Sequence, residues 1–159
     1  MTNSETLEVT RSLFLPVPVQ QVWDFLMDEE KMKNWLGANE FLIDMTDGGK
    51  IEFPLFFGED KYLIIGEFSI LLLRERYDFI WRERDTFGDE WFNCTTVSLK
   101  LEEDENGTLL KLNHNGFKYL PPEIQDEIHS RYQDFWTNGN LLDRLAYLIV
   151  EDETLSVLE

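Results

Sequence analysis

The side chains able to do chemistry are few in this sequence, and their spacing is unhelpful to most reactions. His114 and His129 are the two histidines and Cys94 the single cysteine. His114 ends an alternating stretch, TLLKLNHN, and a histidine is the natural candidate for acid–base work near neutral pH. It has no evident catalytic partner. His129 sits beside Ile128 in a helical pattern and reads as solvated or partly packed. Cys94 lies in a Thr-rich strand with no adjacent helix N-terminus or basic cluster to lower its pKa, so a nucleophilic role is weakly supported. These residues show no close ligand spacing, and no metal site is expected. Gly48, Gly49, Gly58 and Gly66 do not form a phosphate loop, and no cofactor is expected. Acidic runs such as EEDE read as a solvated hairpin tip. No catalytic residue is assigned, and a non-catalytic role is expected.

Aromatic residues are the more suggestive group. Strand alternation puts Tyr77, Phe79 and Trp81 on one face, with Arg76, Asp78 and Arg82 on the other. In residues 91–101 the same rule aligns Trp91, Asn93, Thr95, Val97, Leu99 and Leu101. In residues 108–115 it aligns Leu110, Leu112 and His114. A one-residue bulge would reverse any of these faces. The result is a mixed wall: flat surface from Trp81 and Trp91, polar tips from Tyr77, Asn93, Thr95 and His114. Small-molecule sites are commonly apolar walls with a few polar groups. A filled core whose polar atoms find backbone partners is the other reading of the same residues. With Trp35, Tyr132 and Phe135, the candidate ligand-binding set is Trp35, Tyr77, Phe79, Trp81, Trp91, Asn93, Thr95, His114, Tyr132 and Phe135.

The elements that must position this set follow from periodicity. Residues 7–15 alternate loosely and read as a strand ending at Pro16. Pro18 suits the first turn of a helix, and Val19, Val22, Trp23, Leu26 and Met27 recur at helical spacing. Asp28 can cap a second short helix, EEKMKNWL, which Trp35 closes and Gly37 ends. Residues 41–45 and 50–57 flank TDGG, a hairpin signal, and Pro54 argues for an edge or a bulge. Strands are expected at 62–73, 74–84, 91–103 and 108–115, the last two joined by DENG. From residue 121 the pattern becomes helical, with Ile124, Ile128, Tyr132, Phe135, Leu142, Leu145 and Ile149 on one face. That predicts one long helix, with Gly139 in its middle marking a close approach or a bend. The order is an α+β fold: a strand, two short helices, a meander of antiparallel strands, and a long C-terminal helix for the curved sheet to wrap. Residues 1–159 are expected to form one domain, ordered over about 7–151.

Charge narrows the partners. Lys plus Arg number 14 and Asp plus Glu 32, a net charge of −18. Such a surface repels phosphate backbones, so nucleic-acid binding is not expected, nor association with anionic membranes. No apolar run reaches the ~18 residues of a membrane span, so membrane insertion is not expected. The polar start MTNSETLEVT lacks the apolar segment of a signal peptide, and a cytoplasmic location is expected.

Several motifs then point to a family. LPVPVQQVWDFLMDEEKMKNWL resembles the opening of START-like (SRPBCC, helix-grip) proteins. GGKIEF, GEFSILLLRERYDFIW and NGTLLKLNHNGF resemble their later strands and terminal His-x-Gly-Phe. The branch that fits best is the heat-shock-protein-90 ATPase activator homologues. The family often carries Gly-Trp inside the final helix; here Gly139 is followed by Asn140, and Trp136 lies one turn earlier, where it can fill the same space. The resemblance implies a curved sheet of about six to seven strands wrapped round the long C-terminal helix. It also implies a cavity between them, with Trp35 near its mouth.

The expected function is non-catalytic binding of an apolar or aromatic small molecule, lipid, sterol or polyketide-like, in that cavity. The alternative is a co-chaperone activating a heat-shock-protein-90-type ATPase, with a chaperone protein as partner. A further alternative is a polyketide cyclase or dehydratase, with His114 as its acid–base residue.

Overall fold

A computed structural model describes residues 7–36, 42–138 and 141–158; of Asn138 and residues 153–158 only the backbone is described. The chain opens with β1 (Glu8–Leu15), then two short helices, α1 (Val19–Leu26) and α2 (Glu29–Leu36). Pro18 is the residue before α1, and its carbonyl accepts from Val22 N–H at 3.1 Å. Helical spacing turns Val22, Trp23, Phe25 and Leu26 inward. The Asp28 carboxylate caps α2 by accepting from Lys31 N–H at 3.1 Å, and Met32, Trp35 and Leu36 are buried. Gly37, expected to end α2, lies outside the described residues.

Six strands follow: β2 (Leu42–Ile43), β3 (Lys50–Phe57), β4 (Asp60–Leu72), β5 (Arg76–Arg84), β6 (Thr95–Asp104) and β7 (Gly107–Asn115). With β1 they form a seven-stranded sheet in the order β1-β7-β6-β5-β4-β3-β2, antiparallel throughout. Successive strands are neighbours, as tight hairpins require, and β1 alone pairs far from its place in the chain. The hairpin at TDGG closes with Asp44 N–H donating to Lys50 O at 2.9 Å. Pro54 is tolerated because β2 is so short. It pairs only with Ile51 and Glu52, so β3 is an edge strand beyond them. The one register shift falls in β4, between Phe68 and Ile70. The inward faces of β5, β6 and β7 therefore keep their expected alternation.

A 3-10 turn (Phe117–Tyr119) leads to the helical tail, α3 (Pro122–Asn138) and α4 (Leu141–Leu158). Gly139 and the idea of a bend there lie outside the described residues. The tail's inward residues Ile128, Tyr132, Trp136, Leu142, Leu145 and Ile149 meet the inner sheet face in one continuous core. The expected α+β architecture is present: a curved antiparallel sheet, two short helices after its first strand and a long helical C-terminus.

Gly66 shows how closely the sheet packs. A Cβ built there would lie 2.0 Å from the carbonyl oxygen of Ile80 on β5. Gly66→Ala is expected to cost about 3 kcal/mol or more, because backbone must move. Gly58→Ala, in open space at φ +66, should cost only about 1 kcal/mol from its left-handed backbone. Urea unfolding of the two variants checks the contrast.

Candidate functional site

The inner face of β5 carries Tyr77, Phe79, Trp81 and Glu83, all buried. Across from it α3 presents Arg131, Tyr132, Phe135 and Trp136. Spacing of one helical turn brings Tyr132, Phe135 and Trp136 to the same face. The rings interlock: Trp81 meets Tyr132 edge-on at 5.7 Å, and His114 lies 4.7 Å from Tyr132 and 4.8 Å from Phe117. Phe57 meets both Tyr132 and Phe135. Such tilted and edge-to-face contacts are what aromatic cores favour.

His114 is held on both nitrogens. The Trp136 indole N–H can only donate, and it reaches His114 Nδ1 at 3.1 Å. Nδ1 must therefore accept, which places the proton on Nε2. Nε2–H then donates to Thr95 Oγ1 at 2.7 Å, and the Thr95 hydroxyl donates to Trp81 O at 3.3 Å. Every step has one donor and one acceptor only if His114 is neutral. Burial pushes its pKa down to about 3, with a smaller push from His129. A fully buried imidazole so engaged has no proton to exchange with a substrate. The acid–base role considered for it finds no support in this geometry.

Glu83 is the polar end of the β5 face. Its side chain is 3% exposed and pairs with Arg131 of α3. It also accepts from the Tyr132 hydroxyl, which in turn accepts from the Trp81 indole N–H at 2.7 Å. Burial raises the Glu83 pKa, opposed by the Arg131 charge and the Tyr132 hydrogen bond. The Arg131 guanidinium also stacks 4.4 Å from the centre of the Phe57 ring and 4.7 Å from that of Tyr62.

This pair forms part of the lining of a groove between the sheet and α3, with a volume of about 460 Å³. Tyr62, Trp91 and Phe92 give it aromatic walls; Pro121, Ile124 and Ile128 give it an aliphatic side. Asp85, Asp89, Glu90 and Glu127 complete the lining. Phe92 is 94% exposed. The combination suits a flat apolar body with a neutral or cationic polar group. An anion would meet the carboxylates.

The structure sorts the predicted set. Trp35, Tyr77, Phe79, Trp81, Thr95, His114 and Tyr132 are buried in packed core, and Phe135 is half-buried against it. Trp91 lines the groove. Asn93 is corrected: β6 begins at Thr95, not at residue 91, so Asn93 precedes the strand and has no inward face. It is exposed, and its amide donates to Tyr119 O at 2.7 Å. Trp35 Nε1 and Tyr77 Oη are buried with no hydrogen-bond partner among the described residues. Glu83 and Arg131 did not appear in the predicted set. A signal was present, since Glu83 is the next residue in the Tyr77, Phe79, Trp81 alternation, and a carboxylate on an inward face needs a partner. Among the described residues no cluster of His, Cys, Asp and Glu is placed to hold a metal ion, and no helix is long and apolar enough to cross a membrane.

A sheet gripping a C-terminal helix, with a groove at their junction, is the helix-grip class of protein. The family model for Activator of Hsp90 ATPase homolog 1-like protein matches residues 16–143, and the chain belongs to that family. Solved structures share the fold. A Mesorhizobium loti protein is 17% identical, with a TM-score of 0.69 over 89% of this chain and 96% of its own. A Nitrosomonas europaea protein is 18% identical, with a TM-score of 0.70 over 97% and 99%. An Arthrobacter aurescens protein solved by NMR is 17% identical, with a TM-score of 0.72 over 95% and 90%. No curated protein matches the chain in sequence.

Two outcomes are expected. His114 titrates at 6.5 when exposed and at about 3 when folded, so the unfolded chain takes up the proton first as pH falls. Its contribution to stability is full above pH 6.5 and declines toward pH 3, at about 1.4 kcal/mol per pH unit. Glu83, whose folded pKa is raised, acts in the opposite sense and is common to both proteins compared. His114→Gln keeps an acceptor for Trp136 and a donor for Thr95. Urea unfolding from pH 7 to 5 should show wild type losing roughly 2 kcal/mol that the variant does not lose. Separately, Arg131→Met should cost about 3 kcal/mol by leaving Glu83 buried and unpaired. Adding Glu83→Gln should recover a substantial part of that loss in the same assay.

Proposed function

We propose that this chain is a non-catalytic binding protein, acting in the cytoplasm, for a small molecule with an apolar or aromatic body. The groove between the sheet and α3 is the place of binding. One observation carries the reading: aromatic walls and an aliphatic side enclose about 460 Å³ over a fixed polar pair, Glu83 and Arg131. Trp91 and Tyr62 offer faces for stacking, and Ile124 and Ile128 offer apolar contact. The carboxylate lining favours a ligand that is neutral or cationic over a fatty acid. The interior residues of the predicted set serve as a rigid backing that keeps β5 and α3 at a fixed separation.

The family match supports a second reading, activation of a heat-shock-protein-90-type ATPase. A chaperone's ATPase rate, measured with and without this protein, separates the two readings. An unchanged rate argues against the second.

Thermal shift and calorimetry with a panel of neutral and cationic aromatic compounds test the first reading. Tryptamine and proflavine should bind, with decanoate as the anionic comparison that should not. Trp91→Ala is expected to weaken binding by about tenfold or more, because a stacking face is lost. No response from any member of the panel, or equal binding by Trp91→Ala, would overturn the proposal.

A further inference from the structure

The outer face of the sheet, away from the helices, carries an unusual row. Strand register sets Arg76 of β5 directly opposite Lys100 of β6, Lys100 opposite Lys111 of β7, and Lys111 opposite Ser12 of β1. Like charges directly opposite each other on neighbouring strands oppose pairing. Here three such positions run in unbroken succession, in a chain whose net charge is −18. Asp78 and Glu102 offset Arg76 and Lys111, which leaves Lys100, between them, as the cation of the row without an ion-pair partner among the described residues.

The surroundings point to an anion. The row lies in a groove of about 390 Å³ whose lining includes Thr10, Ser12, Ser98, Asn113 and Asn115, and no Asp or Glu. The nearest carboxylate of the next row, Asp78, is buried and fully engaged. Its Oδ1 accepts from Arg76 Nε at 2.9 Å and from Ser98 Oγ at 2.5 Å, and its Oδ2 accepts from Arg76 Nη2. Asp78 thus holds Arg76 in place at the end of the row. Lys111 pairs with Glu102 at 2.8 Å, but both side chains are about half exposed to water, so the pair is weak and exchangeable. Lys100 is exposed and makes no ion pair among the described residues. The Ser98 hydroxyl donates to Asp78, the Asn113 amide to Glu8 at 3.0 Å and the Asn115 amide to Asn113, so the exposed Thr10 and Ser12 hydroxyls are the donors beside the cations that phosphoryl oxygens can use.

We infer that this outer face binds a soluble small molecule carrying two or more linked phosphoryl groups. Lys100 and Lys111 contact it, and Arg76 lies at one end. Neighbouring strands stand about 4.8 Å apart, so the cations are spread along a line, and linked phosphoryl groups can reach more than one of them where a single phosphate reaches fewer. The overall negative charge opposes any polyanion at long range. Binding must therefore be local and confined to this groove.

Sodium tripolyphosphate is the probe, with orthophosphate for comparison, in calorimetry at low ionic strength on the whole chain. The expected result is saturable binding of tripolyphosphate, weaker binding of orthophosphate, and amide shifts confined to β5, β6, β7 and β1 by NMR. Lys100→Gln should weaken tripolyphosphate binding by about tenfold or more while unfolding in urea no earlier than wild type. Lys61→Gln, an exposed lysine on β4 away from the row, should bind as wild type does. Absence of binding, or equal loss in Lys100→Gln and Lys61→Gln, would overturn the inference.

Discussion

The Trp81–Tyr132–Glu83 hydrogen-bond chain is the interaction on which the arrangement of sheet and helix depends. Apolar burial draws α3 onto the sheet but is non-directional, and a helix can slide on an apolar surface at small cost. A donor and an acceptor cannot slide. The indole N–H of Trp81 must meet the Tyr132 oxygen, and the Tyr132 hydroxyl must meet Glu83. Arg131, one residue before Tyr132, then reaches the same carboxylate. All of this lies in the buried interior, where an unmade hydrogen bond is costly. The chain therefore fixes both the position of α3 along β5 and its rotation. His114, pinned by Trp136 and Thr95, repeats the device one strand pair away.

The groove follows from that constraint. With α3 held against β5 through Arg131 and Glu83, its N-terminal part, from Ile124 to Ile128, borders the same groove as Trp91 and Phe92. The wall of rings expected to touch a ligand instead supplies the stiffness behind the groove. Polar tips read as ligand contacts, those of Thr95 and His114, are occupied by partners within the core.

The fold was largely legible because its signals are local. Trp23 and its neighbours at helical spacing, Asp28 before a run of acids, and TDGG between alternating stretches each specify an element from a few residues. Their order left little freedom in topology, and the family resemblance agreed with it. The site was less legible for a physical reason. Alternation tells which side of a strand a residue faces, but not whether the space beyond is filled. Filling depends on Tyr132, Phe135 and Trp136, which lie more than 50 residues from Trp81 in the chain. The same gap hides the Glu83–Arg131 pair, whose members are uninformative until β5 and α3 meet. Residues 91–94, aromatic and polar in turn, have the composition of a strand but serve as the approach to β6, which begins at Thr95 and so gives Asn93 no inward face.

The distribution of tryptophans has an optical consequence. Trp23, Trp35, Trp81 and Trp136 are between 1% and 5% exposed or fully buried, while Trp91 alone is partly open to solvent. Four indoles thus emit from an apolar interior, and one emits from the groove wall. The red side of the protein's intrinsic fluorescence belongs to Trp91. The groove carries its own label, and its occupancy can be followed without attaching a dye or altering a residue.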